Sequence, residues 1–297
     1  MTLEEIQTVC YVGAGTMGCY NSIAAAVSGY DVVLYDVDAA TLLRVPERHA
    51  EMAAFLVGGG YCTQQDIPAA LQRVSVVADL RQATAAADLV SESVFERLDI
   101  KRETHRQLDE VCPPHTILTT NSSALLVSEI ESAVLRGDRF AALHSHLGAP
   151  LVDIVGGPRT SAATIDILQR YVRSTGGVPL LLKKEYPGYV LNAMLGPLLG
   201  CALLLVTDGV ATPEAIDRAW MAARKAPIGP FGMMDLFGVN VIHDSWQYRR
   251  EDPFTAGLRP KILALLQPMI DRGEIGMKSG RGFYRYPGPN YQQPGFL

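Results

Sequence analysis

No Lys/Arg-rich run longer than a pair occurs in the 297-residue chain, and its formal charge is −5. Clustered positive charge is what recruits a nucleic-acid backbone or an anionic membrane surface, so both are excluded as partners, and small molecules are the expected ligand class. Cysteine is scarce as well: Cys10, Cys19, Cys62, Cys112 and Cys201 form no CxxC pair and no Cys/His cluster. That absence excludes a zinc ribbon and a disulfide framework; no metal is expected, and all five thiols are expected to be buried and reduced. The N-terminus lacks the positive segment and apolar stretch of a secretory leader, carrying Glu4 and Glu5 instead, which points to a cytoplasmic location. A long charge-free stretch does exist, Tyr186 to Thr207, but Pro187, Asn192, Gly196, Pro197 and Gly200 interrupt it. It reads as the core of a water-soluble domain, not as a membrane span. Gly and Pro are scattered and not gathered into a low-complexity tract, so no part of the chain reads as disordered.

What is present is an alternation of strand and helix signals through the first half. QTVCYVGAG is an apolar run ending in glycines, SIAAAVSG reads as a helix closed by Gly29, and DVVLYD is a β-branched run bounded by charge, which together make a βαβ unit. Further strands are expected at 74–79, 88–94, 116–121, 139–146 and 179–184, with the helical segment LDIKRETHRQLDEV among them, giving a mainly parallel, doubly wound α/β sheet of Rossmann type. Ser128 and Glu131 have the spacing of a capping box. After Tyr186 the strand signals stop. Thr212, Pro213 and Glu214 form a helix start, and amphipathic helices are expected over 213–224, 233–248 and 259–272. Two domains follow: an α/β domain over 1–186 and an all-helical one over 187–297.

The first chemistry sits in GAGTMG. Gly13, Gly15 and Gly18, with Thr16 and Met17 between them, lie between a strand and a helix, where missing side chains let a pyrophosphate approach the amides of a positive helix end. A second strand ends at Asp36, placed to accept hydrogen bonds from ribose hydroxyls. Its negative charge would repel a 2′-phosphate, and no arginine adjoins it in sequence, so NAD is expected in preference to NADP.

The blocks SESVFERLDIK, TNSSAL, LHSHLGAPLVDIV, KKEYPGYVLNAML, APIGPFGMMDLFG and GMKSGRGFYRY occur in an order that resembles the L-3-hydroxyacyl-CoA dehydrogenase family over nearly the whole chain. The likeness is nearest to its shorter oxidoreductases, the diketoreductases and the lambda-crystallin type gulonate dehydrogenases. The resemblance implies an NAD-dependent oxidoreductase of 3-hydroxyacyl metabolism, such as fatty acid metabolism, with a helical domain that pairs two subunits and an active site between the two domains. It also implies residue roles. Gly13, Gly15, Gly18 and Asp36 match the cofactor fingerprint. Glu96 and Lys101 match a pair near nicotinamide and substrate, whose plain alternative is an exposed ion pair at a helix start. Ser123 matches the serine that hydrogen-bonds the substrate oxygen beside the cofactor, and Asn192 matches the asparagine that helps hold it. Lys278 matches a basic residue reaching the cofactor. His144 matches the catalytic histidine, a type suited to moving a proton near neutral pH, with Asp153 as the acid that orients it. For Ser123, Asn192 and Lys278 the plain alternatives are a helix cap, a satisfied polar group in an apolar helix and a solvated loop charge.

The same stretch departs from the family. Leu147 holds the position of an asparagine, and the acid is Asp153 where the family has a glutamate about three residues later, so the loop is shortened. His146 lies two residues from His144, and an extended backbone puts both on one face. His146 is therefore either a substrate contact replacing the lost asparagine or a solvent-facing rim residue. Relatives that handle CoA carry lysines on a helical arm after the second strand. The segment 45–74 has Arg48 and Arg73, no lysine and a GGG turn at 58–60, so a CoA thioester, a free 3-hydroxy or 3-keto acid, a sugar acid and a small diketo ester all stay open. Two other readings compete. A Ser123–His144–Asp153 hydrolase lacks a GxSxG elbow, and an NAD-binding structural or sensing dimer would account for the lost asparagine.

Overall fold

The structure, a computed structural model, describes residues 6–247 and 257–297. Glu4 and Glu5, and the last residue of the helix expected over 233–248, lie outside them. The chain divides into two compact units, one ending at Val190 and one beginning at Leu191.

The first unit is built on one eight-stranded sheet: β1 (Thr8–Val12), β2 (Asp31–Tyr35), β3 (Val74–Val77), β4 (Leu89–Glu92), β5 (Ile117–Thr120), β6 (Phe140–Ser145), β7 (Leu151–Gly156) and β8 (Val178–Leu181). The spatial order is β3-β2-β1-β4-β5-β6-β7-β8, parallel throughout except for the antiparallel pair β6·β7. Strand order reverses between β1 and β4, which opens a crevice at the carboxyl ends of the strands. β4 and β5 are buried at every position because helices cover both sheet faces, as the doubly wound reading requires. Alternation sorts the side chains: Ala141, Leu143 and Ile154 enter the core under helices Thr16–Val27, Val45–Gly58 and Ala162–Ser174, while Phe140, Ala142 and Val155 enter the core under Leu98–Val111 and Val127–Ile130. β7 lies between β6 and β8 and buries Asp153, Ile154 and Val155.

Local signals are corrected at several points. The Ser128/Glu131 capping box does not form. The helix starts at Val127, the Glu129 carboxylate accepts the Leu126 amide at 3.0 Å, and Ser128 donates its own amide to Glu185. The helix Val45–Gly58 runs into the expected GGG turn. Cys10, Cys19 and Cys112 are buried as expected, but Cys62 is half-buried and Cys201 exposed.

In the second unit helices span Leu191–Thr207, Pro213–Arg224, Pro230–Phe237, Val239–Gln247 and Arg259–Asp271. Thr212 caps the second of these through its hydroxyl on the Ala215 amide. The expected 233–248 helix is two helices, since Gly238 has φ +107°, a conformation no helix tolerates. Two buried carboxylates organise this unit. Asp217 accepts the Phe231 and Gly232 amides at the start of Pro230–Phe237 and the Tyr284 hydroxyl; Asp235 accepts the Phe283 and Tyr284 amides. The APIGPFGMMDLFG and GMKSGRGFYRY blocks therefore fasten to each other. No described helix is long and apolar enough to cross a membrane.

Candidate active site

The ends of five strands of the first unit, β1, β2, β4, β5 and β6, carry most of the candidate residues. After β1, Gly13 has φ +105°, and a Cβ there would lie 2.7 Å from the Ser93 carbonyl oxygen. A Cβ on Gly18 would lie 1.8 Å from the Gly13 carbonyl oxygen, so the helix beginning at Thr16 packs on the loop only with glycine there. Gly15 meets nothing within 4 Å, and the helix it precedes has no side-chain cap and no acid in its first turn. Open space in front of uncapped amides at the positive end of a helix fits a pyrophosphate, and Thr16 and Met17 supply the first of those amides. After β2, Asp36 accepts the Ala14 and Asp38 amides at 2.8 and 2.9 Å, which pins its carboxylate beside the loop. These residues fit the adenosine and pyrophosphate portion of NAD. The sequence next to Asp36 holds no arginine, yet Arg48 folds back from the helix Val45–Gly58 and donates to the Ala14 carbonyl at 2.5 Å.

After β4 the reading of Glu96 and Lys101 as an exposed pair fails at Lys101, which is enclosed, while Glu96 is exposed. Lys101 is 1% exposed, with Nζ 2.6 Å from Glu92 Oε1, 3.3 Å from the Val94 carbonyl and 3.5 Å from Glu96 Oε2. Glu92, the last residue of β4, also accepts from Thr120 Oγ1 at 2.8 Å and from His105 Nε2 at 3.1 Å. Burial works to raise the Glu92 pKa, but the Lys101 ammonium and the His105 hydrogen bond outweigh it and hold the carboxyl at about 2. Glu96 turns the other way: its Oε1 accepts from Ser122 Oγ and from the Ser123 and Ala124 amides, at 2.5, 2.9 and 2.9 Å. Glu96 thus fixes the loop that presents Ser123.

After β5 comes Ser123, which faces His144 of β6 and, through it, Asp153 of β7. His144 stands directly opposite Asp153 in the antiparallel β6·β7 register. Its Nδ1 lies 3.1 Å from Asp153 Oδ2 and its Nε2 lies 3.0 Å from Ser123 Oγ. Asp153 is fully buried; burial works to raise its pKa, and hydrogen bonds from His144 and His146 overcome that and lower it. The carboxylate is therefore ionised and accepts only, so Nδ1 carries the proton and Nε2 presents a lone pair to the Ser123 hydroxyl. Burial lowers the His144 pKa, the Asp153 hydrogen bond opposes that fall, and nearby His146 adds to it. His146 is not a solvent-facing rim residue: its side chain is 9% exposed and its Nε2 lies 2.8 Å from the same Asp153 Oδ2. Leu147, by contrast, is exposed.

Sequence reasoning missed Glu92, His105 and Tyr189. The Tyr189 ring stacks on His144 at 4.8 Å between centroids, and its hydroxyl donates to the Ser122 carbonyl at 2.7 Å; this non-glycine residue sits at φ +53°. Strain of this kind persists where surrounding contacts fix it. All three lie inside or beside the blocks already quoted, but only the fold shows what they touch. Asn192 begins the helix Leu191–Thr207 and is half-buried, and Lys278 is exposed on the turn Met277–Ser279; both belong to the second unit.

The Ser123–His144–Asp153 chain has the connectivity of a hydrolase triad, but Glu96 occupies the Ser123 and Ala124 amides that would otherwise stabilise an oxyanion beside the serine. A carboxylate in that place repels the charge a hydrolase must stabilise.

Residues 8–186 match the NAD binding domain of 3-hydroxyacyl-CoA dehydrogenase, and residues 188–286 match its C-terminal domain. The 3-hydroxyadipyl-CoA dehydrogenase of Escherichia coli (strain K12) is 35% identical over 292 residues; the match covers 94% of this chain and 59% of that longer relative. A probable 3-hydroxybutyryl-CoA dehydrogenase of Bacillus subtilis (strain 168) is 32% identical over 286 residues, with 95% and 98% of the two chains covered. Among solved structures, a diketoreductase described by its dual catalysis of dicarbonyl compounds has a TM-score of 0.86 at 34% identity, covering 95% of this chain and 99% of its own.

Proposed function

Because the chain belongs to the 3-hydroxyacyl-CoA dehydrogenase family and carries its NAD-binding domain, we propose that it interconverts a 3-hydroxyacyl compound and its 3-keto form, with His144 as general acid and base. The observation that carries this reading is the relay itself, a bare Nε2 facing Ser123 with the other ring nitrogen held by an ionised Asp153. In oxidation, Nε2 takes the hydroxyl proton of a substrate whose oxygen Ser123 positions, and the imidazolium so formed is stabilised by Asp153. In reduction the imidazolium returns that proton to the carbonyl oxygen. NAD, when bound, supplies the hydride chemistry. Lys101 acts through Glu92 and Glu96, since its own ammonium is enclosed. Asn192 as a substrate contact and Lys278 as a cofactor contact stay in the proposal on the family likeness alone.

A second reading concerns the substrate. Arg48 and Arg73, the cations of segment 45–74, are tied to the Ala14 carbonyl and to Asp31, and Arg44 just before it lies 3.6 Å from Glu47. With each cation between β2 and β3 facing a partner within the chain, and with a diketoreductase among the similar structures, a small dicarbonyl compound is favoured over a CoA thioester. A cytoplasmic homodimer formed through the helical unit completes the proposal. Met194, Val210 and Val241 are exposed apolar side chains there, and light scattering is expected to give a two-chain mass.

The test follows NADH absorbance with acetoacetyl-CoA, acetoacetate and a 3,5-diketo ester. Turnover is expected with at least one, fastest with the diketo ester, and His144→Ala is expected to lose about 10²- to 10⁴-fold in rate. Undiminished turnover in that variant refutes the assignment, and NADH binding without any turnover replaces catalysis by a sensing role.

A further inference from the structure

His144 and His146 are two residues apart at the end of one strand, so their rings share a face, and Asp153 faces them from the neighbouring strand. The ring nitrogens converge: His144 Nδ1 and His146 Nε2 both point at Asp153 Oδ2, from 3.1 and 2.8 Å, and the two rings meet edge to face with centroids 4.5 Å apart. One ligand atom from each of the three side chains lies within 4.8 Å of the others, a grouping of His, Cys, Asp or Glu found nowhere else among the described residues. The second carboxylate oxygen, Asp153 Oδ1, is buried and has no hydrogen-bond partner. A single acid–base histidine needs one nitrogen on one oxygen. Two imidazoles focused on one point, with an unused anionic oxygen behind it, exceed that need.

We propose that His144, His146 and Asp153 form a binding site for one divalent transition-metal ion of the zinc type, and that filling it switches off the acid–base histidine. Two imidazoles and a carboxylate suit zinc, cobalt, nickel and copper and select against magnesium and calcium, which want oxygen ligands alone. Metal–nitrogen bonds are about 2.0–2.1 Å long, so the ion enters near the focus of the two nitrogens while the carboxylate draws back by roughly 1 Å and keeps an oxygen on it. Water fills the remaining position. The consequence for His144 is a change of tautomer. Its proton leaves Nδ1, which binds the ion, and resides on Nε2, which then donates to Ser123. Nε2 has no lone pair left to accept a substrate proton, and a neutral metal-bound imidazole is a far weaker acid than imidazolium, so both directions stop. The inhibitory half of this inference rests on His144 being the acid–base group; the binding half does not.

The two halves separate in one experiment. Chelator-treated protein, without cofactor or substrate, is titrated with Co²⁺ and then Zn²⁺ at neutral pH. One Co²⁺ per chain is expected, with a visible ligand-field band that Zn²⁺ displaces and EDTA abolishes, and Zn²⁺ is expected to raise the melting temperature. His146→Gln and His146→Phe are expected to weaken the ion by at least about 10-fold and to lose the Zn²⁺ stabilisation, each read against the variant's own metal-free melting temperature. No cobalt band in the unmodified protein, or a band undiminished in both His146 variants, overturns the site. NADH-linked turnover then reads the switch: Zn²⁺ inhibition that tracks the cobalt titration and is reversed by EDTA supports it, and full activity with the site filled overturns it. Failure to find any carbonyl substrate would defeat the reductase reading and leave the cobalt result standing.

Discussion

Lys101 is the residue whose surroundings change its meaning most. Five positions from Glu96 at a helix start, it has the spacing of a solvated charge pair, yet it is enclosed against Glu92, a partner that lies on the preceding strand. A buried pair of this kind resists removal of either member, because the other is left charged and uncompensated. Lys101→Met is therefore expected to destabilise the first unit by about 3–5 kcal/mol in denaturant unfolding. A loss within the range of a surface ion pair, under about 1 kcal/mol, would show that the buried geometry is not what holds the unit together. His146 carries the same lesson. The two-residue spacing puts it beside His144, but only β7 supplies the carboxylate that turns it inward.

At the scale of the element, the glycine loop and the helix after it separate cofactor binding from folding. Gly18 is fixed by contact between helix and loop, and Gly15 borders open space. Gly18→Ala is expected to lower both the melting temperature and NADH affinity, since its Cβ collides with the Gly13 carbonyl. Gly15→Ala is expected to leave the melting temperature within about 2 °C, as a surface change does, while cutting NADH affinity in a fluorescence titration, because the added methyl enters the space in front of the amides. Equal effects of the two substitutions on stability would refute this division. The helices of the second unit depend on the same kind of local rule. A continuous apolar periodicity over 233–248 reads as one helix, but Gly238 at φ +107° splits it, and Asp217 then caps the piece that begins at Pro230.

For the whole molecule, the two units are expected to answer acid in opposite ways. In the first, the Glu92 carboxyl is held at about 2 against an ordinary value of 4.5. Its contribution to stability is complete above pH 4.5 and is lost as the pH falls toward 2. In the second, burial raises the pKa of Asp217 and of Asp235 in spite of the hydrogen bonds each accepts. A raised carboxyl costs stability while ionised, so falling pH relieves that unit through the window above the ordinary value of 3.8. Both tryptophans, Trp220 and Trp246, belong to the helical unit. On acidification from pH 5, far-ultraviolet circular dichroism is expected to change before tryptophan fluorescence does, and coincident transitions would refute the separation.

The sequence by itself determined the alternating strands and helices, the glycine loop with Asp36, the switch to an all-helical second half, and the order of Ser123, His144 and Asp153. These are legible because they rest on short-range periodicity, on residue types that only one backbone geometry suits, or on family blocks that survive as continuous strings. Tertiary structure decided the rest: Lys101 buried on Glu92, Arg48 brought back to the loop, Glu96 closing the amides beside Ser123, Tyr189 stacked on His144, and His146 drawn onto Asp153. Each of these joins residues on different elements, and its sign depends on burial. No periodicity records whether a charged or aromatic side chain faces water or a partner, because that choice is made only when the sheet is assembled and the surrounding helices remove the solvent.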